Sequence, residues 1–86
     1  MSTKPWYLYL IECQNGSIYT GITVDVEARY QAHQRGKGAR YTRAHPPKKL
    51  LKVIEFENRS EASKAEYATK QLPTAEKWQL ANSELK

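Results

Sequence analysis

Read from its start, the chain opens on an apolar and aromatic run, Trp6-Tyr7-Leu8-Tyr9-Leu10-Ile11-Glu12-Cys13, that is apolar at both sets of alternate positions. Such a run predicts a strand covered on both sides, hence a central one. Gln14-Asn15-Gly16 is a turn signal, and Ser17-Ile18-Tyr19-Thr20-Gly21-Ile22 follows as a second strand, so the two runs form an antiparallel hairpin. Loop length decides what the hairpin displays. A two-residue Asn15-Gly16 turn puts Tyr9 and Tyr19 on opposite faces, because a one-residue slip reverses every side chain. A three-residue loop with Gly16 in the left-handed region sets Ile11 opposite Tyr19 and Tyr9 opposite Gly21, which places both tyrosines on one face. The second register is the expected one.

Thr23 is placed to cap a helix reaching Arg35, with Asp25 and Glu27 at the positive end of its dipole and Gly36 to end it. Val26, Arg29, Tyr30 and His33 share one stripe of that helix. From Gly36 to Pro47 the glycines and the proline pair around a basic, aromatic centre predict a surface loop. Leu50 to Glu57 reads as a third strand beside the hairpin. Asn58 with Glu61 three residues later opens a helix running to about Leu72 and stopped by Pro73, after which Thr74 caps a short last helix through Trp78 and Leu80. The order is β-β-α-β-α-α, and the expected fold is a small α/β sandwich whose helices flank a three-stranded mixed sheet.

Composition narrows what this fold can do. With 86 residues there is room for a single domain, 1–86, and none for a bilobal enzyme. The longest apolar stretch, Trp6 to Ile11, falls far short of the roughly 20 residues of a membrane helix. The first residues lack a secretory h-region, so cytoplasmic residence is the expectation. One cysteine, Cys13, cannot form an internal disulfide, and with only His33 and His45 beside it a four-ligand zinc module is excluded. The net charge of +5 is unevenly spread. Ala28 to Ile54 carries Arg29, Arg35, Lys37, Arg40, Arg43, Lys48, Lys49 and Lys52 without one acid, while the remainder is net negative. A concentrated basic segment points to a polyanion, most simply nucleic acid; a merely solvated basic surface is the plainer reading.

Two side chains on the first helix are out of place for a core stripe. Arg29 and His33 stand one turn apart, and an arginine leaning toward a sheet must find an anion or a hydrogen-bonding partner. The plainer reading pairs Arg29 with Glu27 or a carbonyl and leaves His33 as a satisfied surface histidine. On the later helix the small-residue stripe Ala62, Ala65, Thr69 and Leu72 contains one acid, Glu66. That carboxylate either holds a magnesium ion together with waters and a substrate phosphate, or pairs with Lys70 at i,i+4.

Tyr7-Leu8-Tyr9, then Tyr19-Thr20-Gly21, then Arg29 eight residues after Gly21, His33 four later, and Glu66 on a later helix resemble the GIY-YIG nuclease domain. The likeness spans nearly the whole chain. It is greatest to the short stand-alone bacterial, UPF0213-like members, through Trp6 to Ile11, Tyr19 to Thr23, the Gly38-Ala39-Arg40-Tyr41-Thr42-Arg43 loop and Ala65-Glu66-Tyr67. The resemblance implies a metal-dependent endonuclease hydrolysing phosphodiester bonds of DNA, in DNA repair, recombination or processing. It carries catalytic roles onto Tyr9, Tyr19, Arg29, His33 and Glu66, with Glu66 as the metal ligand. The first triplet opens with Tyr7 in place of glycine, and the second has Thr20 in place of isoleucine. No accessory DNA-binding domain is recognisable, which leaves room for a protein partner that supplies substrate specificity.

The chemistry agrees with these roles. With only Glu66 free to hold metal, a single Mg²⁺ (or Mn²⁺) is expected, Arg29 neutralises developing phosphate charge, and Tyr9 orients the attacking water. Whether Tyr19 or His33 is the general base stays open, since a tyrosine near pKa 10 serves only if nearby cations lower it. The segment Arg35 to Arg43, with Arg35, Lys37, Arg40, Tyr41 and Arg43, suits phosphate contacts plus stacking on an unpaired base. DNA is favoured over RNA by the resemblance, with single-stranded, branched and duplex forms undecided. Two other readings stand beside the nuclease: a non-catalytic nucleic-acid-binding module of the same fold, and a protein-interaction domain whose basic loop meets an acidic partner.

Overall fold

The computed structural model of the chain describes residues 4–82. Strand β1 (Trp6–Cys13) lies in the middle of a three-stranded sheet of order β2-β1-β3, with β2 (Ile18–Thr23) and β3 (Pro47–Phe56) at its edges. Both neighbours run antiparallel to β1, so the sheet is antiparallel throughout and the expected mixed sheet is corrected. With a hairpin on one side of β1, the return through the basic segment brings β3 back along the other side, opposed to β1.

The hairpin has the three-residue loop. Gly16 sits at φ 85°, and the register pairs Ile11 with Tyr19 and Tyr9 with Gly21. Pro47 starts β3 three residues before the expected Leu50, because the Pro47–Lys49 stretch pairs with Glu12 and Cys13; a proline is tolerated as the first residue of an edge strand.

Helix α1 (Val26–Gln34) is capped by Asp25, whose carboxylate accepts from the Ala28 amide at 3.1 Å. Thr23, the expected cap, instead accepts from the Asp25 amide through its hydroxyl. Arg35 and Gly36 end the helix in a Schellman motif: the Lys37 amide bonds to Ala32 O at 2.8 Å and the Gly36 amide to His33 O at 3.1 Å, with Gly36 at φ 75°. The segment expected to be all loop contains a short helix, α2 (Arg40–Ala44). Helix α3 (Arg59–Lys70) is capped by Asn58, whose side chain accepts from the Glu61 amide at 2.9 Å. In α4 (Thr74–Asn82) Thr74 is the first helical residue rather than the cap, and Pro73 O takes the first bonds, from the Glu76 and Lys77 amides.

Two cores lie on the two faces of β1. Tyr9, Ile11 and Cys13 pack with Tyr19 and Tyr30 of α1, whereas Leu10 and Ile18 pack with Leu51 and with Trp78, Leu80 and Ala81 of α4. The stripe of α1 turns inward as the spacing requires, His33 being buried and Val26, Arg29 and Tyr30 half-buried. The α3 stripe does the same with Ala62 and Thr69 buried and Ala65 and Glu66 half-buried, while the neighbouring Tyr67 is exposed. Among the described residues no helix is long and apolar enough to cross a membrane.

Candidate active site

The tyrosine-bearing face of the hairpin is where the expected side chains meet. The register that pairs Tyr9 with Gly21 brings the Tyr9 and Tyr19 rings to a centroid distance of 6.3 Å. Gly21 makes this possible. A Cβ there would stand 2.5 Å from Tyr9 Cζ and collide with the hydroxyl, so the ring lies directly over the glycine backbone.

His33 enters from α1 beneath both rings, with centroids 5.7 Å from Tyr9 and 5.1 Å from Tyr19. Its Nε2 is 2.9 Å from the Tyr9 hydroxyl and its Nδ1 is 2.7 Å from Thr42 Oγ1 on α2. Proton bookkeeping assigns the tautomer. Thr42 has one hydroxyl hydrogen and donates it to Ala39 O at 3.0 Å, so it accepts from His33 Nδ1–H. Nε2 is then bare and accepts the Tyr9 proton. The result is a buried chain, Tyr9 to His33 to Thr42 to the Ala39 carbonyl, whose three side chains are 2%, 1% and 1% exposed.

Acid–base tendencies follow this order. Burial pushes the Tyr9 hydroxyl up to about 12; the Arg29 guanidinium beside it pulls the other way, and the charges of Tyr19 and Glu66 push further upward. Burial, then the charge of Arg29, lowers His33 from its ordinary value, so the ring stays neutral at physiological pH. Tyr9, Tyr19, Arg29, His33 and Glu66 therefore share one electrostatic centre, drawn from two strands and two helices.

Neither plainer reading of α1 holds. Arg29 has no ion pair among the described residues, Glu27 accepting from Gln31 instead at 3.3 Å, and His33 is buried rather than a surface residue. For Glu66 the i,i+4 pair is real: Lys70 Nζ lies 3.2 Å from its Oε2, with side chains 49% and 22% exposed. A partly exposed i,i+4 pair of this kind is worth only ~0.3–0.5 kcal/mol. Among the described residues no group of three or more His, Cys, Asp and Glu could hold a metal. A single carboxylate fits Mg²⁺, which keeps several waters, and does not fit zinc.

The basic segment lies on the surface beside this centre. Arg35, Lys37, Arg40 and Arg43 are exposed, with no carboxylate partner among the described residues. Tyr41 is stacked on Tyr19, centroids 6.1 Å apart and planes 18° apart, and its hydroxyl bonds to that of Ser17.

Three contributors escape a reading of the sequence. Thr42 lies in a helix of five residues, too short to show a period, although it is the one uncharged, non-aromatic residue between Arg40 and Arg43. Gly38 packs on the imidazole, since a Cβ there would collide with His33 Nδ1. Thr20 is 3% exposed and its Oγ1 has no hydrogen-bond partner among the described residues.

Comparison with known proteins gives matches along most of the chain. A family model described as the GIY-YIG catalytic domain matches residues 5–79. A UPF0213 protein of Xanthomonas axonopodis pv. citri is 58% identical over 74 residues, 86% of this chain and 72% of the relative. One from Cupriavidus pinatubonensis is 55% identical over 74 residues, 86% of this chain and 82% of the relative. Two solution NMR structures are similar. The UPF0213 protein of Bacillus halodurans has a TM-score of 0.57 at 43% identity, covering 88% of this chain and 81% of its own. A protein of E. faecalis has a TM-score of 0.62 at 41% identity, covering 92% and 84%.

Proposed function

Because the chain belongs to the GIY-YIG nuclease family, we propose that it is a Mg²⁺-dependent endonuclease that hydrolyses phosphodiester bonds of DNA. The observation that carries this reading is the buried Tyr9–His33–Thr42 chain beside Arg29 and Glu66. A fold kept only for binding has no need of a neutral, tautomer-locked imidazole behind a tyrosine hydroxyl.

Hydrolysis needs a proton taken from water, charge neutralised on the non-bridging oxygens and a stabilised leaving oxygen. Tyr9 is unsuited to act as a free tyrosinate, with its proton held up to about 12. It need not ionise. Its proton already points at His33 Nε2, so a water proton passes to the Tyr9 oxygen as the Tyr9 proton passes to His33, and the imidazolium formed donates through Nδ1 to Thr42. His33, fully buried, acts through Tyr9 as a relay. Tyr19, half-exposed beside His33, orients the water in this reading. Arg29 presents forked donors to the phosphate oxygens. Glu66 would hold the divalent ion in exchange for Lys70, and such an ion supplies charge neutralisation at the phosphate and at the leaving oxygen.

Arg35, Lys37, Arg40 and Arg43 contact the flanking phosphates in this reading. Labelled single-stranded, duplex and branched DNAs and an RNA, each incubated with and without Mg²⁺, test it. Cleavage of DNA only with the metal supports the proposal, and salt-sensitive binding with no product on any substrate leaves the non-catalytic module in its place.

A further inference from the structure

The short helix α2 meets the reaction centre with two neighbouring side chains. Thr42 bonds to His33 Nδ1, and Tyr41 lays its ring near-parallel to that of Tyr19, planes 18° apart and centroids 6.1 Å apart. Consecutive residues of a helix point ~100° apart, so a single turn addresses two adjacent side chains of the centre while Arg40 and Arg43 leave it toward solvent. The composition of this segment suggests a tyrosine that stacks on an unpaired base. The contacts that Tyr41 makes are of another kind.

Its anchor follows from the placement of hydrogens. Ser17 donates its one hydroxyl hydrogen to Asn15 Oδ1 at 2.6 Å, the same oxygen that accepts from the Ser17 amide at 3.2 Å. In the bond between the Ser17 and Tyr41 hydroxyls the tyrosine is therefore the donor. Ser17 precedes Tyr19 by two residues, the repeat of a strand, so Tyr41 lies with its ring on one residue of this row and with its tip bonded to the next. His45, four residues on from Tyr41, packs on the same ring with centroids 4.8 Å apart.

Tyr19 needs such support. Tyr9 is fixed by burial and by its bond to His33, whereas Tyr19 is half-exposed and its ring is set among three others, those of Tyr9, His33 and Tyr41. The first two are buried, and Tyr41, 39% exposed, is the outermost. We propose that Tyr41 is a positioning residue of the reaction centre: stacked on Tyr19 and anchored through Ser17, it holds the Tyr19 ring in the one rotamer from which the hydroxyl meets the attacking water. The inference rests on the nuclease reading for the water, and on the ring and hydroxyl contacts alone for the hold on Tyr19. Exposed side chains hop between staggered rotamers within nanoseconds, so a half-exposed ring keeps one of them only while a neighbour fills the space into which it would swing.

The full chain is followed by NMR and by cleavage kinetics as the parent, Tyr41→Leu, Tyr41→Phe and Ser17→Ala. The Hα–Hβ couplings of Tyr19 report one χ1 rotamer in the parent and in Tyr41→Phe, which keeps the ring, and rotamer averaging in Tyr41→Leu, while those of Tyr9 stay fixed throughout. On the DNA that the parent cuts with Mg²⁺, Tyr41→Leu lowers kcat by about tenfold or more with KM changed by less than about twofold, and Tyr41→Phe restores kcat to within about fivefold of the parent. Ser17→Ala and Tyr41→Phe remove the same hydrogen bond, so the double variant loses no more kcat than either single one. A single Tyr19 rotamer in Tyr41→Leu, a KM that rises with kcat unchanged, or additive losses in Ser17→Ala and Tyr41→Phe each overturn the proposal, and the second of these results makes Tyr41 a base-stacking residue instead. A parent that cuts no substrate defeats the nuclease reading, and the Tyr19 couplings then decide by themselves whether Tyr41 holds that ring.

Discussion

Gly21→Ala is the sharpest test of how the site is built, because the backbone there is not in the left-handed region and only the space above it demands glycine. The added methyl would stand 2.5 Å from Tyr9 Cζ and 3.0 Å from Cε2. Carbon contacts settle at ~3.5–4.0 Å, so the ring must retreat by about 1 Å. Tyr9 is 2% exposed and tethered to His33 Nε2 at 2.9 Å, so the retreat strains the core and breaks the bond. Overpacking costs ~1–3 kcal/mol and the lost hydrogen bond about 1, giving ~2–4 kcal/mol in total. Urea unfolding followed by circular dichroism reads this as a midpoint lower by roughly 2–4 M, for a slope near 1 kcal/mol/M. Tyr9→Phe removes the tether and lets the ring tilt away, so the double variant loses about 1 kcal/mol less than the sum of the singles. A Gly21→Ala protein as stable as the parent, or strictly additive singles, refutes the packing argument and with it the placement of Tyr9.

The other expectations concern the centre itself. Glu66→Ala and Arg29→Ala each lower Mg²⁺-dependent cleavage by about 10²-fold or more while circular dichroism is retained, and normal cutting by both defeats the site assignment. Thr42→Val leaves His33 Nδ1–H without an acceptor, which costs ~1–3 kcal/mol in urea unfolding and changes the ¹⁵N shifts of the imidazole. His33 is lowered from 6.5, so between that value and its folded one the unfolded chain binds more protons. Stability therefore falls as pH drops below about 6.5, and His33→Gln flattens that slope. Tyr9 works in the opposite direction: raised from 10.0 to about 12, it contributes stability below 10 that is lost as pH rises toward 12, and Tyr9→Phe removes that loss.

Much of the fold was legible because it depends on neighbours in the chain. Gly16 sets the loop length, the loop length sets the register, and the register puts Tyr9 and Tyr19 on one face. The i,i+4 spacing of Arg29 and His33 gives their shared stripe, and Asn58 with Glu61 marks the start of α3. The failures are of two kinds. Where two residues compete for one local role, as Thr23 and Asp25 do for the cap of α1, the chain offers both and the geometry of the strand exit chooses. Where an element is short, as α2 is, no periodicity accumulates, and Thr42 looks like any loop residue.

The sequence by itself determined which side chains are chemically able to act, and that Tyr9, Tyr19, Arg29, His33 and Glu66 face inward from their own elements. Only the tertiary structure decided what they do to one another. The Tyr9–His33 bond joins residues 24 apart and the His33–Thr42 bond residues 9 apart, so both exist only once α1 and α2 dock on the sheet. Burial is a property of that docking. It is burial that holds Tyr9 protonated, keeps His33 neutral and leaves the Thr20 hydroxyl without a partner among the described residues.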